Sequence, residues 1–315
     1  MILKQRSEPP EIRQLQSLLQ RVPIVHPLVP HWTEKLRRMT AGFHGEQRVD
    51  ALWNEIPIVG PHYFLHDLYI QKPNTSHQID TILITSRFVL IIEIKSIAGR
   101  LDFDPQLRQF SRTNRDGTVD GMRNPDDQLR RHEKWVQQFL AEHKVSLPVI
   151  GAIVFTYPSS IVNSRPKNRI IIQASGLPYL IDQLLAKYTE DLLNTRKTRQ
   201  LAGRLLQVHS DRPLRELEVP VELKKGVLCE ECNEVLYYDK KAWRCNQCNY
   251  KNPRAHLQTL LQYRSLVSHT ISNREFREFT GLNSVSTASK MLTGLNMEIQ
   301  GSFKDRIYLI PKALE

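Results

Sequence analysis

The chain has 315 residues, 40% of them hydrophobic, which is more than one domain usually holds and enough to build packed cores. Lys and Arg number 44 against 33 Asp and Glu, a net charge of +11 with a pI near 9.5, and this balance favours a polyanionic partner, either nucleic acid or an anionic membrane surface. No apolar run approaches the roughly 18 residues that span a bilayer, and MILKQRSEPPEIRQ lacks the apolar segment of a signal peptide, so the expectation is a cytoplasmic protein without a membrane partner.

In chain order, EIRQLQSLLQRV has helical periodicity and precedes a proline-spaced stretch, so residues 1–40 are expected to form a helical extension. GEQRVDALW places Val49, Leu52 and Trp53 at three-to-four spacing and reads as the start of an amphipathic helix, with Glu46 near its packed face or serving as a first-turn acid for the helix dipole. IDTILIT and FVLIIEIK, separated by a short loop at Ser86 and Arg87, form an expected hairpin that returns Glu93 opposite Asp80. Asn124, Pro125, Asp126 and Asp127 open a helix with a cap, a proline at its first position and acids in its first turn; Gln128, His132, Trp135 and Phe139 share one stripe of it. His132 on that stripe reads as a packed histidine. VIGAIVFTY and NRIIIQ read as further strands, LPYLIDQLLAKY and TRQLAGRLLQV as helices leading to a boundary near residues 214–225.

Cys229, Cys232, Cys245 and Cys248 are the chain's four cysteines, two Cys-x-x-Cys pairs twelve residues apart. Two tight turns that aim four soft thiolates at one point predict a closed, structural Zn2+ site, a zinc ribbon with a short hairpin in EVLYYDKKAWRC; a pair of redox dithiols is the alternative. Beyond it lie three short helices and an alternating segment with Gly301 near its turn, the order of a winged helix-turn-helix. From Asp239 to Arg277 there are eight Lys or Arg against two acids, which suggests an electrostatic footprint. If the third helix enters a major groove, Ser286, Ser289 and Lys290 reach nucleic acid, with Lys304 and Arg306 on the wing; a small protein-interaction domain is the competing reading.

Chemistry concentrates between Asp80 and Lys95. Strand side chains alternate faces, so Glu93 and Lys95 project together while Ile92 and Ile94 point away. Two charges in a buried strand survive only by pairing, by meeting a solvated cleft or by binding a cation. Oxygen donors of this kind suit a hard ion such as Mg2+ or Mn2+, although a structural salt bridge fits the spacing as well. Neither a phosphate-cradling glycine loop nor a serine or cysteine nucleophile constellation is present, which excludes the common NTPase and covalent hydrolase designs.

Asp80, twelve residues, Glu93, one residue and Lys95 resemble the core of the PD-(D/E)XK nuclease superfamily. The wider context resembles its nuclease-related domain (NERD): GFHGEQRVDALW from Gly42 to Trp53, HQID ending at Asp80, IIEIKSIAGR from Ile91 to Arg100 and NPDDQLRRH from Asn124 to His132 occur in the family's order. The segment from Leu101 to Met122 has no such counterpart, and Ile94 and Ser96-Ile97 stand where more polar or aromatic residues are expected. The resemblance implies an α/β fold, a nuclease-like mixed sheet flanked by helices over residues 41–213. A linker follows at 214–225, then the zinc ribbon at 226–252 and a winged-helix-like domain at 253–315. It further implies a metal-dependent nuclease acting on DNA, or a catalytically inactive nucleic-acid-binding protein on the same fold. Asp80, Glu93 and the carbonyl of Ile94 match metal ligands, Lys95 the lysine that positions or activates the attacking water, Glu46 an acid facing the site, and Gln128 the glutamine of the NPxxQ piece.

Overall fold

The computed structural model describes residues 1–73, 75–213, 223–302 and 305–314. The chain divides into two compact units, one of Met1–Glu8 with Thr40–Pro213 and one of Pro9–Met39 with Leu214–Glu315. The first forty residues are thus shared between the units.

The first unit is built on a mixed six-stranded sheet. Its strands are β1 (Ile2–Lys4), β2 (His62–Gln71), β3 (Ser76–Thr85), β4 (Val89–Lys95), β8 (Val149–Phe155) and β10 (Ile170–Gln173), in that spatial order. β2, β3 and β4 are antiparallel neighbours, whereas β1 lies parallel to β2 and β4, β8 and β10 run parallel. The parallel strands are nearly all apolar because both sheet faces are covered. Helices Pro125–Glu142 and Thr195–Gln207 bring Leu129, Val136, Leu140, Leu201 and Leu205 onto the face that carries Val89, Ile91, Ile153 and Phe155. Val49, Trp53 and helix Leu177–Lys187 cover the opposite face, where Leu90, Ile92, Ile94 and Val154 point.

Local signals account for much of this. Thr85 Oγ1 accepts from the amides of Arg87 and Phe88 and closes the β3–β4 hairpin at the expected loop. Asn124 caps its helix by accepting from the amide of Asp126, with Pro125 in the first turn. One expectation is corrected: GEQRVDALW does not start a helix but ends one that runs from Val29 to Leu52. Gly42 and Gly45 weaken the helical signal, yet Gly45 is there for packing. A Cβ on it would overlap the Ser96 hydroxyl and press on Thr156, so its absence lets the helix approach the ends of β4 and β8. The stretch from Leu101 to Met122 holds a second, four-stranded sheet. It is formed by β5 (Gly99–Asp104), β6 (Gln109–Thr113), β7 (Val119–Met122) and β9 (Ser160–Ser164), in the order β7-β6-β5-β9.

In the second unit, helices Pro10–Arg21 and His256–Leu266 pack through Gln14, whose side chain donates to the carbonyl of Ser265, and Arg21, which donates to Gln262 and to the carbonyl of Gly226. A four-stranded sheet follows of β11 (Val227–Leu228), β12 (Val235–Asp239), β13 (Ala242–Arg244) and β14 (Lys251–Asn252). Its expected hairpin turns on Lys240 and Lys241, both with positive φ, as a two-residue turn matched to strand twist requires. Helices Asn273–Thr280 and Val285–Thr293 come next, the former bounded by a Ser272–Glu275 capping box and by Gly281 at φ 74°. β15 (Thr270–Ser272), β17 (Ile307–Leu309) and β16 (Glu298–Gln300) form the last sheet, with β17 central. The three helices and the β16–β17 pair stand in the expected order. Among the described residues no helix is long and apolar enough to cross a membrane.

Candidate active site and metal centre

β3 and β4 pair in register from Ile84–Val89 to Thr81–Ile92 and then part. Continuing that register sets Asp80 opposite Glu93. At the fork the amide of Ile94 donates to Asp80 Oδ2 at 2.7 Å, so Ile94 reaches the site through its backbone while its side chain stays in the apolar core. Glu93 is fully buried, on the sheet face of helix Pro125–Glu142. Lys95, two residues on, donates to Glu93 Oε1 at 2.5 Å and to Gln128 Oε1 at 3.2 Å. The structure therefore brings Glu93, Lys95 and Gln128 into hydrogen-bond contact, with Asp80 beside them at the Ile94 amide. Glu93 Oε2 has no hydrogen-bond partner among the described residues. Its neighbour is His132, with Nδ1 at 3.7 Å. That ring is buried, packs against His77, and burial above all pulls its pKa down to about 3, so it is neutral.

Glu46 enters from helix Val29–Leu52 and accepts from Arg6 Nη1 at 2.7 Å. Arg6 is a site residue that sequence reasoning missed. It follows β1, its side chain is 4% exposed, and it also donates to both carboxylate oxygens of Asp50, to the carbonyl of Asp80 and to Thr81 Oγ1. Behind Asp50 stands His66, whose Nδ1 lies 3.1 Å from Asp50 Oδ1 and 3.1 Å from Thr81 Oγ1. Asp67 faces Asp80 across the β2–β3 ladder, in the left-handed conformation at φ 51° and with its carboxylate accepting from Gln78. The largely apolar run HYFLHDLYIQ forms one strand, but nothing in it marks Asp67 or His66 as lying beside Asp80.

Electrostatics follow from this crowding. Burial, reinforced by the charge of Asp80, pushes Glu93 up to about 8, and the same two causes raise Glu46 to about 8. Asp80 is raised as well, chiefly by burial, against the pull of Lys95 and Arg6. Burial alone would lower the Lys95 ammonium, but Glu93 and Asp80 outweigh it and hold Lys95 protonated. Carboxylates in this condition gain from added positive charge. The donor set, all oxygen and with one buried orphan, fits a hard divalent ion.

In the second unit, Cys229, Cys232, Cys245 and Cys248 gather their sulfurs within 4.8 Å of one another, and none is in a disulfide. Each Cys-x-x-Cys turn is followed by an asparagine with φ near 59°, Asn233 and Asn249, a conformation asparagine tolerates better than most residues. This closed four-sulfur cluster can hold a metal such as zinc. Of the residues expected at nucleic acid, Ser286, Lys290 and Arg306 are exposed, whereas Ser289 is half-buried and its hydroxyl accepts from Asn273. Lys304 lies outside the described residues.

Residues 41–156 match the family model of the nuclease-related domain. No curated protein matches the chain. Among solved structures, the crystal structure of protein VC1899 from Vibrio cholerae matches with 13% identity over 53% of this chain and 37% of that one, at a TM-score of 0.22. The matched segment holds Glu46, Asp80, Glu93, Lys95 and Gln128 and both strands of the β3–β4 fork. Over residues 41–156 the chain is thus similar to nuclease-related domains.

Proposed function

We propose that this protein is a metal-dependent nuclease that hydrolyses phosphodiester bonds of DNA in the cytoplasm, with a Zn2+ ribbon and a C-terminal winged helix that hold the substrate. The observation that carries the reading is the fork between β3 and β4, where Asp80, Glu93 and Lys95 meet. Asp80, Glu93 and the carbonyl of Ile94 would hold a Mg2+ or Mn2+ ion. When bound, such an ion supplies charge neutralisation at phosphate and a more acidic water. Lys95, held beside Glu93, would position or activate the attacking water and stabilise developing negative charge. Gln128 Oε1 fixes the direction of the Lys95 ammonium. Glu46 lines the same cleft. In the C-terminal region Ser286, Lys290 and Arg306 present donors and charge to the phosphate backbone.

Supercoiled plasmid incubated with the full chain and Mg2+ or Mn2+ tests this. Cleavage that stops with EDTA and falls about a hundredfold or more in Asp80→Ala and Lys95→Ala supports the enzyme. Cleavage indifferent to both variants refutes it. DNA binding without cleavage would favour the non-catalytic scaffold.

A further inference from the structure

Arg6 lies outside the family-matched segment, yet it makes more polar contacts in the cleft than any residue inside it. β1 delivers it: the amide of Phe64 donates to the carbonyl of Met1 at 3.0 Å, and Lys4 Nζ donates to the carbonyl of His66 at 2.9 Å. The guanidinium then grips Asp50 with two donors, at 2.7 Å and 3.1 Å, and Glu46 with a third at 2.7 Å. A planar fork paired to one carboxylate and bridging to a second is the strongest and most directional ion pairing available to a side chain. Asp50 is held from its other side by His66 at 3.1 Å, so the cluster has little freedom to rotate.

Charge and geometry then limit what else can enter. With all four ionised, Glu46, Asp50, Asp80 and Glu93 supply four carboxylates against the two cations Arg6 and Lys95; Lys4 and Asp67, farther round, offset each other. The remainder is the charge of one divalent ion. A second ion a few ångströms from the first needs a carboxylate of its own or one that bridges. Glu46 is the acid placed to provide it, and Arg6 occupies it.

We propose that Arg6 locks Glu46 and Asp50 into a fixed ion cluster, leaving Asp80 and Glu93 as the carboxylates open to metal, so that the site takes one divalent ion and not two. Arg6 is a positioning residue supplied by the N-terminal strand. The proposal rests on the metal-dependent reading of the same cleft.

Titration of the zinc-loaded full chain with Mn2+, followed by calorimetry and by the electron paramagnetic resonance of free Mn2+, counts the ions directly. One ion per chain is expected in the wild type, with affinity lowered about tenfold or more in Asp80→Asn. Glu46→Gln is expected to retain one ion. Arg6→Gln is expected to gain a second, lost again in the Arg6→Gln, Glu46→Gln double variant. Two ions in the wild type, loss of an ion in Glu46→Gln, or a single ion in a folded Arg6→Gln overturns the proposal. Should circular dichroism show Arg6→Gln to be unfolded, the wild-type and Glu46→Gln counts decide. Mn2+ binding that is absent, or identical in wild type and Asp80→Asn, removes the metal-dependent reading itself; a folded Arg6→Gln with one Asp80-dependent ion removes only the role of Arg6.

Discussion

At the scale of single residues, Glu93 shows what the cleft costs. In an unfolded chain its carboxyl ionises near 4.5, while in the fold burial and Asp80 hold it up to about 8. The native state therefore binds the extra proton, and stability present at pH 4.5 and below declines as pH rises towards about 8, then levels. Without divalent ions, the wild type should lose thermal stability between pH 5 and pH 8 more steeply than Glu93→Gln, as thermal melts in EDTA at several pH values will show. Equal slopes would mean that the Glu93 charge is already compensated in the apo protein. Glu93, Lys95 and Asp80 were legible from sequence because a two-residue period and a short hairpin loop place them together. Arg6 was not, because 74 residues separate it from Asp80 and no local period connects a strand end to a distant fork.

At the scale of elements, the approach of helix Val29–Leu52 to β4 and β8 decides where Glu46 sits. Gly45 meets Ser96 and Thr156, whereas nothing lies within 4 Å of a Cβ at Gly42. Gly45→Val should destabilise the protein by about 1–3 kcal/mol through overpacking. Gly42→Ala, on the same helix, should stabilise it by about 0.5–1 kcal/mol. Chemical denaturation of the two variants checks the contrast, and like signs would contradict it. Local pattern alone starts this helix near Gly45, where it nearly ends. Both glycines resemble an N-terminal boundary when only propensity is consulted, and the close contact that explains Gly45 exists only once the sheet is built.

At the scale of the whole molecule, metal and net charge are the two global terms. The segment around Cys229 to Cys248 contributes few large apolar side chains, chiefly Leu236 and Trp243, so metal binding should be coupled to its folding. One zinc per chain is expected by mass spectrometry, and chelation should abolish hydrogen-exchange protection in residues 226–252; protection that survives chelation contradicts the coupling. A net charge of +11 predicts DNA affinity that falls steeply with salt. Lys290→Ala or Arg306→Ala should reduce the slope of log affinity against log salt by about 1, read from binding isotherms at several salt concentrations. An unchanged slope in both would place DNA elsewhere on the surface.

Sequence alone determined the β3–β4 hairpin and its charged face, the Asn124 cap and the four-cysteine cluster, since each is written in neighbours or in a fixed spacing that backbone geometry converts directly into position. Tertiary structure decided the rest: the fork that exposes Asp80 to Glu93, the sheet of β5, β6, β7 and β9, and the arrival of Arg6, Asp50 and His66 beside the acids. Those contacts join residues far apart in the chain, and what selects them is the burial of whole faces and the pairing of charges that burial would otherwise strand.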